Sequence, residues 1–139
     1  MPAPPSQLPE VWLDIYRGGS FEDAPVDLFD EAGVPLTHAA GWRGRCELRD
    51  TALDGDLVVT FAAPGTEGAL GELQGLEYGH WVWSLSTADT LTLAATVDSQ
   101  GYINRTLVGD LEVWHTSTPE DRRKAALVWA TIRAEGTLG

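Results

Sequence analysis

The chain has 139 residues, with 21 Asp and Glu against nine Lys and Arg, a formal charge of -12, six Trp and a single Cys. That length makes about one domain, large enough to bury a core without disulfides or a structural metal. The charge repels phosphate backbones and anionic headgroups, which argues against nucleic acid as a partner; one cysteine excludes an internal disulfide or a zinc cluster, and no apolar run reaches the roughly 18 residues of a membrane span.

Residues 1–9 hold four prolines and predict an extended, polyproline-like arm, with Pro4 and Pro5 as candidate contacts to a neighbour. The start has neither the basic residues nor the apolar stretch of a signal peptide, so synthesis without export by that route is expected. Val11, Leu13 and Ile15 alternate with Trp12, Asp14 and Tyr16, a strand with large side chains on both faces that ends at Gly18-Gly19. A short extended run follows at 25–30, then a loop through Gly33 and Pro35. The carboxylates Glu22, Asp23, Asp27, Asp30 and Glu31 crowd this region. They lack the spacing of a calcium loop and read as a solvated acidic edge.

Trp42, Gly44, Cys46 and Leu48 alternate with Arg43, Arg45, Glu47 and Arg49, predicting an amphipathic strand whose arginines pair with carboxylates across the sheet or grip those of a partner. Cys46 falls on the apolar face as a small buried hydrophobe. Asp54-Gly55 signals a hairpin into the strand at 57–61. The glycine-rich stretch 63–75 predicts a loop with a weak strand inside it; it has no phosphate-loop lysine. In the aromatic strand at 78–86, Trp81 and Trp83 share a face, and core, interface and sugar-stacking platform would all use such a pair.

Leu91, Leu93, Ala95 and Val97 alternate as a strand, Asp98–Gly101 turns the chain, and Leu107, Val108, Leu111 and Val113 return it, with a bulge or bend at Gly109-Asp110. Thr118 then suits an N-cap, Pro119 the first helical position, and Glu120 and Asp121 the positive end of a helix dipole. A terminal helix with Ala125, Val128, Trp129 and Ile132 on one face is expected, although the same run fits a strand if it pairs. Removing 119–139 is accordingly expected to leave a folded domain.

His38, His80 and His115 stand in no metal spacing, and no nucleophile motif is present, so no catalytic, cofactor or metal residue is expected and the chain is read as a non-enzyme.

The order of segments Gly18-Gly-Ser-Phe-Glu22, Leu28 to Leu36, Trp42 to Arg49, Leu85 to Thr90 and Gly101 to Val113 resembles a family of small bacteriophage tail proteins that includes the N-terminal domains of baseplate upper proteins. The shared pattern is a glycine-led first turn, a D-x-x-G-x-P loop, an amphipathic strand ending in arginine, and a closing G-x-x-x-R-x-L-x-G-x-L-x-V run. It covers roughly residues 11–114; the insertion at 64–79 and the basic-then-apolar tail depart from it. The resemblance implies a minor tail or baseplate protein of the virion, partnered by other tail proteins or by copies of itself.

The expected architecture is therefore all-β, a mainly antiparallel β-sandwich over residues 10–117, with an arm at 1–9 and a C-terminal helix at 118–139. The candidate interface residues are Pro4, Pro5, Arg43, Arg45, Trp81, Trp83, Arg122, Arg123 and Trp129. The alternative function is a carbohydrate-binding module that stacks sugars, including a host-surface glycan, on Trp81, Trp83 or Trp114.

Overall fold

A computed structural model describes residues 8–51, 55–93, 96–97 and 103–133; the arm at 1–7, with Pro4 and Pro5, and the segment 134–139 lie outside the described residues. The elements are β1 (Glu10–Tyr16), β2 (Phe21–Asp27), β3 (Trp42–Asp50), β4 (Leu57–Ala62), β5 (Gly71–Gly75), β6 (His80–Leu85), α1 (Thr87–Leu91), β7 (Thr96–Val97), β8 (Ile103–His115) and β9 (Arg123–Arg133). The all-β class is thus observed.

The strands pair in the order β1-β9-β8-β3-β4-β5-β6-β2, with β7 on β8. Among the described residues, only β1 with β9 and β4 with β5 run parallel. This one sheet curls into a nearly closed barrel. Its two ends, β1 and β2, leave the same Arg17–Ser20 turn, and among the described residues no ladder joins them. The turn is pinned by Thr90 of α1, whose buried hydroxyl accepts from Gly18 N–H (3.1 Å) and donates to the Gly19 carbonyl (2.9 Å). At the other end of this seam the Leu28–Leu36 segment folds over the barrel, held by Leu28 N–H to Gly79 O (2.9 Å) and Leu36 N–H to Leu28 O (3.0 Å).

The C-terminal helix expected at 118–139 is corrected to a strand over its described part. Ala126, Val128, Ala130 and Ile132 are buried in strict alternation, a period of two that no helix face reproduces. The β-branched Val128, Thr131 and Ile132 suit the extended backbone. What decides the matter is position: β9 lies between β1 and β8, so both of its edges are satisfied, with Ala130 opposite Leu13 on one side and Leu107 on the other. The local cap signals at Thr118 are spent on a turn, with Thr118 N–H to His115 O (3.0 Å) and Asp121 N–H to Thr118 O (2.9 Å).

The strand expected from Leu91 is also corrected. Residues 87–91 form α1, capped by Ser86 Oγ accepting from Asp89 N–H (3.1 Å). Thr90 and Leu93, three apart, are the buried pair, while Leu91 is exposed. The return run is a single strand, β8, unbroken at Gly109. There, a Cβ would overlap the Glu47 carbonyl of β3, so the glycine permits close strand approach and marks no bend.

Trp81, Trp83, Phe61, Leu13, Leu48, Leu107 and Ile132 are among the largest fully buried side chains, each stabilising the fold by about 1.5–3 kcal/mol. The Trp81 ring lies between two glycines: a Cβ would come within 2.6 Å of it at Gly44 and 2.8 Å at Gly75.

Candidate interaction surfaces

Two of the residues singled out in the sequence are core. Trp81 and Trp83 are both 0% exposed, which removes them as contacts for a partner and as sugar platforms. Their inward alternation on β6 is what buries them. Trp114, the third proposed platform, is half-buried beneath the Arg122 guanidinium, 4.1 Å from the ring centroid.

The arginines of β3 are engaged within the chain. Arg43 donates to the His38 (3.2 Å) and Trp42 (2.9 Å) carbonyls, bracing the His38–Ala40 turn. Arg45 pairs with Glu47 on its own strand (3.0 Å), and Arg49 reaches the same carboxylate at 3.6 Å. Cross-strand pairing does occur, but elsewhere: Arg105 of β8 with Asp50 of β3 (2.9 Å), and Arg133 of β9 with Asp14 of β1 (3.0 Å).

Trp129 is placed differently. Its outward position on β9 is in register with Trp12 on β1 and Val108 on β8. The two indoles stack with centroids 5.4 Å apart and planes 12° apart. Trp12 is 60% exposed, and Tyr16 and Leu127 on the same two strands are also exposed. Ion pairs flank this row, Asp14 with Arg133 (3.0 Å) and Asp110 with Lys124 (3.3 Å), and Glu10 stands exposed on the same face of β1. An apolar aromatic centre inside a charged rim is the anatomy of a protein interface. Sequence reasoning found Trp129 and missed Trp12, because a first strand with large side chains on both faces does not show which face is buried.

A second surface surrounds the turn before β6. Tyr78 is 70% exposed and takes a left-handed backbone (φ +62°), unusual for a bulky residue. It stands edge-on to His80, whose Nδ1 meets the Asp27 carboxylate of the edge strand β2. Ala24, Leu76 and Val82 complete a broad, shallow apolar hollow. On the other side of the same turn, His38 Nδ1 accepts from Gly75 N–H (2.8 Å). Burial, with the Arg43 guanidinium nearby, holds the His38 imidazole below its usual range. His38 and His80, far apart in sequence, thus flank one turn.

Cys46 is wholly buried, and burial pushes its thiol up to about 12, a packing residue and not a nucleophile. Among the described residues no group of three or more His, Cys, Asp or Glu is placed to hold a metal ion, and no helix is long and apolar enough to cross a membrane. No protein-family model and no curated protein matches the chain.

Proposed function

We propose that this barrel, whose facing walls pack as the two layers of a sandwich, is a structural assembly module of a bacteriophage virion. It acts as a minor tail or baseplate protein that joins other tail proteins or copies of itself. The observation that carries the assembly reading is the stacked Trp12–Trp129 pair on the outer face of β1 and β9. An exposed, stacked indole pair gains from being covered by another protein. The phage context comes from the resemblance of the motif order along residues 11–114 to the tail-protein pattern.

The test is a Trp12→Glu variant supplied to a phage lacking the gene. Trp12 projects into solvent, so the substitution removes one stacking contact, about 1 kcal/mol, and the domain should melt within a few degrees of wild type. It should nevertheless fail to enter particles. Incorporation at the wild-type level would count against this face as the assembly surface.

A further inference from the structure

At the end of the barrel opposite the Arg17–Ser20 turn, a cavity of about 210 Å³ opens where β1, β9 and the segment after β2 diverge. Its walls are apolar: Leu28, Leu36, Val113, Ala125 and the Trp42 ring. Arg123, Lys124 and the Asp30 carboxylate also line it. Asp30 Oδ1 accepts from Ala32 N–H (2.8 Å) and Val34 N–H (2.9 Å), which fixes the carboxylate within its own loop, and Lys124 pairs with Asp110. Arg123 has no carboxylate partner among the described residues. Its guanidinium stands 5.8 Å over the Trp42 ring, and its neighbour Arg122 is held the same way over Trp114.

In a chain of charge -12, Arg123 is a cation at the edge of an apolar cavity, set against the Trp42 ring that lines it. Stacking on the ring positions the guanidinium without neutralising it. We infer that this mouth seats one bulky apolar side chain of a neighbouring protein, flanked by a carboxylate that Arg123 receives. The choice of a protein segment as occupant rests on the assembly reading above; the chemistry of the site does not. The size fits one side chain: a cavity of roughly 150 Å³ accepts benzene, whereas drug-sized ligands occupy about 300–1,000 Å³. The chain's own residues 1–7 contain no carboxylate, and Leu8, which follows them, already forms part of the wall, so charge complementarity favours an acidic segment from outside.

The test is a nuclear magnetic resonance titration of the full chain with three capped tripeptides, Asp-Leu-Asp, Asn-Leu-Asn and Lys-Leu-Lys, and with hexanoate. Saturable shifts at the Val113 and Ala125 methyls and the Trp42 indole N–H are expected, with the acidic peptide binding about tenfold tighter than the neutral one and the basic one not binding. Arg123→Gln, at an exposed side chain, should keep the melt and bring the acidic peptide down to the neutral one. Equal shifts from all three peptides, shifts elsewhere on the barrel, or saturable shifts from hexanoate with none from the acidic peptide would each overturn the inference. A chain that enters particles normally yet fails this titration loses the pocket and keeps the assembly reading; one that binds the acidic peptide but never enters particles does the reverse.

Discussion

His38 shows how single residues in this barrel are set by their surroundings. Its Nδ1 accepts the Gly75 N–H, a bond that a protonated ring would have to give up, and its Nε2 is buried without a partner. The ring packs against Trp81 at 5.9 Å, with Arg43 nearby and Glu77 across the adjoining hollow. Since the folded imidazole titrates below the unfolded value of 6.5, the unfolded chain binds the proton first as pH falls. The stability His38 contributes is therefore complete above 6.5 and lost as pH drops from there through the folded value. His38→Gln keeps an acceptor for Gly75 and cannot titrate. Thermal melts of the two proteins should hold a constant gap above pH 7, with wild type losing ground to the variant below pH 6.5; a gap independent of pH would show that the imidazole is not held neutral by the fold. The comparison cancels the easing of carboxylate repulsion that both chains share on acidification.

At the scale of the element, β9 carries the largest consequence. It supplies Ala126, Val128, Ala130 and Ile132 to the core and is the only strand hydrogen-bonded to β1 among the described residues. Deleting 119–139 should abolish the cooperative melt, because it strips β1 and β8 of a partner and opens a channel through the core where Val128 and Ile132 had packed. A truncated chain that still melts cooperatively would return this segment to a peripheral role. The helix expected there was reasonable locally, since Thr118 suits an N-cap, Pro119 the first helical position and Glu120 the positive end of the dipole. What overrode it was a parallel pairing with β1, over a hundred residues away, which no local pattern encodes. The same limit explains α1, where apolar alternation from Leu91 competed with the Ser86 cap and the buried Thr90. The strands legible by alternation, β1, β3 and β6, are those whose alternation coincides with one buried face, whereas β4, with Val59 to Ala62 all buried, was signalled by the Asp-Gly turn before it. Burial of Trp81 and Trp83 follows from that alternation. The prominence of Trp12 does not, because a strand with large residues on both sides gives no sign of which side is in. The mouth beside Arg123 was legible only as a basic cluster; its cavity is made by residues from both termini of the described chain and from the middle of it.

On the scale of the whole molecule, the chain is an acidic barrel with two features that ask for a neighbour. One is the Trp12–Trp129 face on β1 and β9. The other is the mouth beside the Arg123 guanidinium at the start of β9. Both lie on or beside β9, so one surface of the barrel could engage two partners or two copies in succession, the heterologous arrangement that closes into rings when the rotation permits. The overall negative charge keeps free copies apart in solution and leaves the basic mouth as the place where an acidic neighbour is drawn in. The measurement that tests this account most directly is quantitative peptide mass spectrometry on gradient-purified phage particles from a strain carrying the gene, with the copy number of the chain taken against the major tail protein. The account predicts recovery in a small, fixed number per particle, unchanged by further washing. Absence from particles, with the protein found free in the lysate, would contradict it.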